Sequence, residues 1–192
     1  MAKDTVFTEL EHRLIEVIPH VVGACEMAEP AYCLRVYYDS MDTPEDDYAT
    51  RLRLLKASAR EQAVATRGDH APDGIWMADN TDDADVHGPN IFLKHDPEIR
   101  RICSEIFQLI VKDENATLRE LRRTIQRVCQ RLNQLDWTTI RSVTDDFVVF
   151  PADGSHTFYD DYGDLVASVP PERIELLRKR AYLGPADRLP QL

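Results

Sequence analysis

No apolar run in this chain is long enough for a membrane span or the core of a signal peptide. Its first residues, MAKDTVFTELEHRLIEVIPHVV, set charges throughout their apolar positions, and such segments need an uninterrupted apolar stretch. No membrane association is therefore expected, and the expected location is the cytoplasm. Cysteine is sparse and unpatterned. Cys25, Cys33, Cys103 and Cys129 lie inside apolar runs without C-x-x-C spacing, which reads as reduced core thiols and not as zinc ligands or disulfides. Positive charge is in deficit: 23 Lys and Arg face 34 Asp and Glu, for a formal net charge of -11. Nucleic-acid backbones require clustered cations, so no nucleic-acid partner is expected. An acidic chain stays soluble and steers basic partners toward itself. The signatures of catalysis are missing as well, since the chain has no G-x-S-x-G, no H-E-x-x-H and no glycine-rich phosphate loop. Binding without a cofactor or metal is the expectation.

What is there suits an ordinary globular fold. A chain of 192 residues buries about 70% of the surface its unfolded form exposes, and 43% hydrophobic with 30% charged residues is a common balance. One domain over 1–184 is expected, with 185–192 a frayed tail. Val6, Leu10, Leu14, Val17 and Ile18 repeat at helical spacing, so a helix is expected over 5–18, stopped by Pro19. AYCLRVYY, 31–38, is dense in β-formers, with Tyr32, Leu34, Val36 and Tyr38 on one face and Cys33, Arg35 and Tyr37 on the other. Thr43 as cap and Pro44 at the first helical position predict a helix running on through RLRLLKASAREQAVA, burying Tyr48, Leu52, Leu55 and Ala59.

The stretch TRGDHAPDGIWMADNTDDADVHGPN is broken by Gly68, Pro72, Gly74, Gly88 and Pro89, and only GIWM could be a strand. DNTDDAD places carboxylates at alternate positions, but Ala84 stands where a calcium loop needs glycine and Asn90 where it needs a bidentate glutamate, so it reads as a solvated loop. Asp96, Pro97 and Glu98 open a helix carrying Ile99, Ile102, Cys103, Ile106 and Ile110 inward. A further helix over 117–135 repeats Leu118, Leu121, Ile125, Val128, Leu132 and Leu135. Its Arg119, Arg123, Arg127 and Arg131 recur every four residues. That stripe either grips an acidic group or pairs with the chain's own carboxylates, and the second reading is the expected one. DFVVF reads as a strand and PADGS as a turn. HTFYDDYGDLV follows as the second strand of a hairpin or an ordered loop, and a last helix enters through Pro170 and Pro171.

Together these elements predict an α+β fold, a small, mainly antiparallel sheet with helices packed largely on one face. The order of AYCLRVYY, CQRLNQLDW, DDFVVFPADG and SVPPERIELLRKRAYL resembles an uncharacterised bacterial family, domain of unknown function 4303. The resemblance implies a small bacterial α+β protein, of a kind often encoded beside secreted toxins as an immunity partner. The residues themselves single out the segment DGSHTFYDDYGD. Asp153, His156, Phe158, Tyr159, Asp160, Asp161, Tyr162 and Asp164 combine rigid aromatic anchors with carboxylates, the mixture that suits a basic protein surface. Alternatively Phe158 and a tyrosine pack inward while the aspartates solvate a sheet edge. The competing function is a small hydrolytic or nucleotide-handling enzyme built on the loop around His156.

Overall fold

The computed structural model describes residues 3–39, 51–67, 88–154 and 161–183. Helix α1, Lys3–Ala24, opens the chain and runs straight through Pro19. The proline costs the helix one backbone donor, but the buried stripe of Val6, Leu10, Leu14 and Ile18 continues to Val22 on the far side. Packing along that stripe outweighs the local break. Strand β1, Ala31–Asp39, follows.

RLRLLK, expected as helix, is strand β2, Arg51–Lys56, and helix α2 begins only at Ala57, ending at Arg67. Leu52 and Leu55 fit a helical stripe, yet Arg51 and Arg53 also alternate with Leu52 and Leu54, and pairing with β1 decides between the two periods. Strand β3, Asn90–Phe92, is short. The expectations for Thr43, Pro44 and Tyr48, for GIWM, for DNTDDAD and for the tail 185–192 lie outside the described residues.

Asp96 caps helix α3, Pro97–Lys112, by accepting from the amides of Glu98 and Ile99 at 3.0 and 2.9 Å. Asp113 caps helix α4, Glu114–Leu132, which stops short of Leu135. Strand β4, Val143–Asp153, extends DFVVF through Pro151 into the expected turn. Helix α5, Asp161–Ser168, and helix α6, Pro171–Lys179, close the described chain.

The sheet order is β3-β2-β1-β4. β1 pairs antiparallel with β2, β2 antiparallel with β3, and β1 parallel with β4. The fold is thus α+β with a mainly antiparallel, mixed sheet. The parallel pair needs a long crossover, which the segment containing α3 and α4 supplies. On the first face Leu34, Val36, Tyr38, Leu52, Leu54, Phe147 and Val149 meet the three long helices α1, α3 and α4. On the second, Cys33, Leu55, Val148 and Phe150 meet the shorter α5 and α6 through Leu165, Val169, Ile174 and Leu177. Tyr32 joins this second face and not that of Leu34, because the β1 register shifts between Ala31 and Cys33.

The outer edge of β4 accounts for α5. Asn133 donates from Nδ2 to the Val149 carbonyl at 2.6 Å and accepts from the Val149 amide at 2.8 Å. Arg173 donates to the Phe147 carbonyl. With that edge closed by side chains there is no ladder for a hairpin partner, and residues 161–168 form a helix instead of the expected strand or loop.

Candidate functional site

Two regions bear chemistry, and the first is the acidic segment that leaves β4. Asp153, at the strand end, is buried. Asp164, in α5, is fully buried and accepts three hydrogen bonds: from Arg122 Nε and Gln126 Nε2, each 2.7 Å to Oδ1, and from the Tyr38 hydroxyl, 3.1 Å to Oδ2. This carboxylate ties α5 to α4 and to β1. Burial lifts its pKa above the ordinary aspartate value against the lowering pull of Arg122. Burial also raises the Tyr38 hydroxyl, and the neighbouring Asp164 and Asp153 raise it further. Tyr162 is half-buried, and Arg178 Nη2 donates to its hydroxyl at 3.2 Å. Asp161 is the first residue of α5, while His156, Phe158, Tyr159 and Asp160 lie outside the described residues. The structure therefore brings Asp153 and Asp164 inward and sets Tyr162 at the margin of the second core cluster.

The second region was not among the expected sites. On the second face of the sheet, Arg35 of β1 stands directly opposite Arg53 of β2, and both are buried, at 1% and 5% exposure. Across the parallel pair Arg35 faces Phe150, whose ring centroid lies 5.5 Å from the guanidinium carbon. Arg51, two residues before Arg53, stacks on Tyr37 at 4.0 Å and is half-buried. From α2, Arg60 lies over the rings of Tyr32 and Tyr182 at 5.0 and 4.1 Å. Its Nη1 donates to Asp146 Oδ1 at 2.9 Å, and Arg180 donates to the other Asp146 oxygen at 2.9 Å. The same Arg180 forms a fork with Asp145, both contacts 2.6 Å. Burial pushes the Asp146 carboxyl upward, but hydrogen bonds from Arg60 and Arg180 hold it below the ordinary value.

A signal for this region was present in the sequence: arginines at 51 and 53 share strand parity, and Arg35 interrupts an otherwise apolar strand. The helical reading of RLRLLK concealed it. Arg122 lies one position from the stripe of Arg119, Arg123, Arg127 and Arg131 and carries no separate local signal of its role. Of that stripe, Arg127 donates to Glu11 at 2.7 Å and Arg123 sits 3.5 Å from Glu120, so these two pair with the chain's own carboxylates as expected. Cys33, Cys103 and Cys129 are buried and outside any disulfide, with Cys25 half-buried at the end of α1. Burial raises the Cys33 thiol to about 12. Among the described residues no group of His, Cys, Asp or Glu is placed to hold a metal ion, and no helix is long and apolar enough to cross a membrane. No protein-family model matches this chain, nor does any curated protein or solved structure.

Proposed function

We propose that the protein acts by binding and not by catalysis, and that the acidic segment 153–164 is its recognition element for a basic protein surface. One observation carries this reading: Asp153 and Asp164 anchor the segment at both ends, the second through bonds from Arg122, Gln126 and Tyr38. A segment held at both ends loses less freedom when a partner docks, which is how preorganisation raises affinity. The two anchoring acids then serve the fold, and the charges offered to a partner are those of Asp160 and Asp161. Phe158, Tyr159 and Tyr162 supply contact area at low entropy cost, with His156 beside them. The resemblance to family 4303 adds a bacterial immunity role, in which the basic partner is a toxin encoded next to this gene.

The test combines Tyr159→Ala with Asp160→Lys and Asp161→Lys. The triple variant should keep the wild-type melting temperature and lose capture of the product of the adjacent gene. Raising salt should weaken wild-type capture in the same direction, because exposed charges are screened beyond about 10 Å at 0.1 M. A lowered melting temperature, or capture that survives the three changes, would show that the segment is structural and that recognition lies elsewhere.

A further inference from the structure

The solvent side of α4 carries a charge opposite to that of the whole chain. The helix holds five arginines against two glutamates, in a protein whose formal net charge is -11. Internal pairing takes up two of the five: Arg122 is held by Asp164 and Arg127 by Glu11, each at 2.7 Å. Arg119 and Arg131 are exposed and make no ion pair among the described residues. Arg123, with its side chain 66% exposed, reaches Glu120 only at 3.5 Å, and the same glutamate lies 3.6 Å from Arg127. Each four-residue step turns about 40° round the helix, so the stripe winds from the side of α4 that meets α5 toward the side that meets α1. Arg119 and Arg123 stand nearest α5. That helix lies alongside and runs the same way, because Asp164 bonds to Arg122 and Gln126, Ala167 O accepts from Gln130 at 2.9 Å and Ser168 O accepts from Asn133 at 2.9 Å. Its outer side is apolar. Val166 is 40% exposed and Ala167 is exposed, while the one charged side chain between Tyr162 and Ser168 is the buried Asp164. An apolar strip bordered by arginines is the composition that protein interfaces favour.

We infer that the outer surface shared by α4 and α5 docks an acidic amphipathic helix of a partner protein, with Arg119 and Arg123 taking its carboxylates and Val166 and Ala167 taking its apolar side chains. Charge complementarity selects the occupant. The two guanidiniums are one turn apart, about 6 Å along the axis, which is the spacing of carboxylates four residues apart on a helix laid beside α4, and planar forks accept carboxylates in pairs. A second copy docking through the same patch would bring arginines against arginines across the two-fold axis. A long polyanion would meet the repulsion of the whole acidic chain, whereas a protein helix brings few and local charges. This surface takes the charge opposite to that sought by segment 153–164 and does not depend on the role of that segment.

Fluorescence anisotropy with a labelled alanine-based helical peptide, bearing glutamates every four residues and leucines on the adjoining side, tests the surface when titrated with the full chain in low-salt buffer. Wild type should bind this peptide and not its glutamine counterpart. Arg119→Gln combined with Arg123→Gln, both at exposed positions, should keep the wild-type melting temperature and bind at least about tenfold more weakly, through loss of two charge-assisted contacts. Val166→Ser should also weaken binding without lowering the melting temperature. Arg131→Gln removes the same charge about 120° round the helix from Arg119 and should bind as wild type does. No binding by wild type would overturn the proposal, as would equal binding of the glutamine peptide, undiminished binding by the double variant, or an equal loss in Arg131→Gln, which would reduce the effect to general attraction. Self-association of wild type that disappears in the double variant would assign the surface to a second copy, and tighter binding of single-stranded DNA than of the peptide would assign it to nucleic acid; either result overturns the proposal. The variant with Tyr159→Ala, Asp160→Lys and Asp161→Lys should still bind the glutamate peptide, so failure here is distinct from failure of segment 153–164.

Discussion

The two faces of the sheet are built from the same three strands by opposite rules. On the first, β1, β2 and β4 present Leu34, Val36, Leu52, Leu54, Phe147 and Val149 to three long helices. On the second, residues one step along the same strands include Arg35, Arg51 and Arg53 beside Cys33, Leu55, Val148 and Phe150. The first face is accounted for by burial alone: each large aliphatic side chain removed from water contributes roughly 1.5–3 kcal/mol. The second is not, because a well-packed apolar set there would be at least as stable as buried arginines.

The largest effect should come from breaking the first face. Ile125 sits in the middle of α4, fully buried within the main core. Ile125→Asp places an unpaired carboxylate there, at a cost of several kcal/mol against a total domain stability of about 5–15 kcal/mol. The variant should show no cooperative melting transition by circular dichroism. A soluble, cooperatively melting Ile125→Asp protein would mean that α4 is an interaction face and that the comparison of the two faces is drawn in the wrong place.

The first face was also the legible one. Its helices announce themselves through 3.6-residue stripes and caps, as at Asp96 and Pro97 for α3, and these signals are local. The second face depends on contacts between distant parts of the chain. RLRLLK is a strand only because β1 offers it a ladder, and residues 161–168 are helical only where Asn133 and Arg173 have already closed the β4 edge. Neither Asn133 nor Arg173 carries a local signal of that role. Tyr32 changes faces through a register shift that no periodicity encodes. Of the acidic segment, composition marked the aspartates, but inward and outward aspartates look alike until Arg122 and Gln126 are placed beside Asp164.

A second, smaller effect probes the joint between the faces. Tyr38 belongs to the first face and α5 to the second cluster, and Asp164 bonds across that boundary. Asp164→Asn keeps the shape and removes the charge, leaving Arg122 without its 2.7 Å carboxylate partner. Breaking a buried pair from one side costs about 3 kcal/mol, so chemical denaturation should shift to a clearly lower midpoint with an unchanged slope. Arg122→Met with Asp164→Asn should recover part of the loss, because no uncompensated charge then remains. A single variant as stable as wild type would mean that α5 is held by its apolar contacts alone.

The smallest effect lies on the second face and appears only in acid. Asp145 and Asp146 are both held below the ordinary aspartate value, Asp145 by its hydrogen bonds from Arg180, and Asp146 because the bonds from Arg60 and Arg180 outweigh its burial. A carboxyl whose folded pKa is depressed binds fewer protons folded than unfolded. Its stabilisation is therefore complete above the unfolded value and is lost as pH falls through the folded one, a window that opens below about pH 4. Arg180→Ala removes the fork on Asp145 and one of the bonds to Asp146. It should lower the neutral-pH melting temperature only modestly, since Asp145 is largely exposed and such pairs are screened. In acid the variant should unfold at a higher pH than wild type, because its two carboxyls titrate nearer their unfolded values. Arg127→Ala, which breaks a pair on α4 away from the sheet, provides the contrast and should leave the acid midpoint where it was. Coincident acid-unfolding curves for wild type and Arg180→Ala would show that Arg60 alone holds Asp146 ionised, and that the α6 end contributes nothing to the electrostatics of the arginine face.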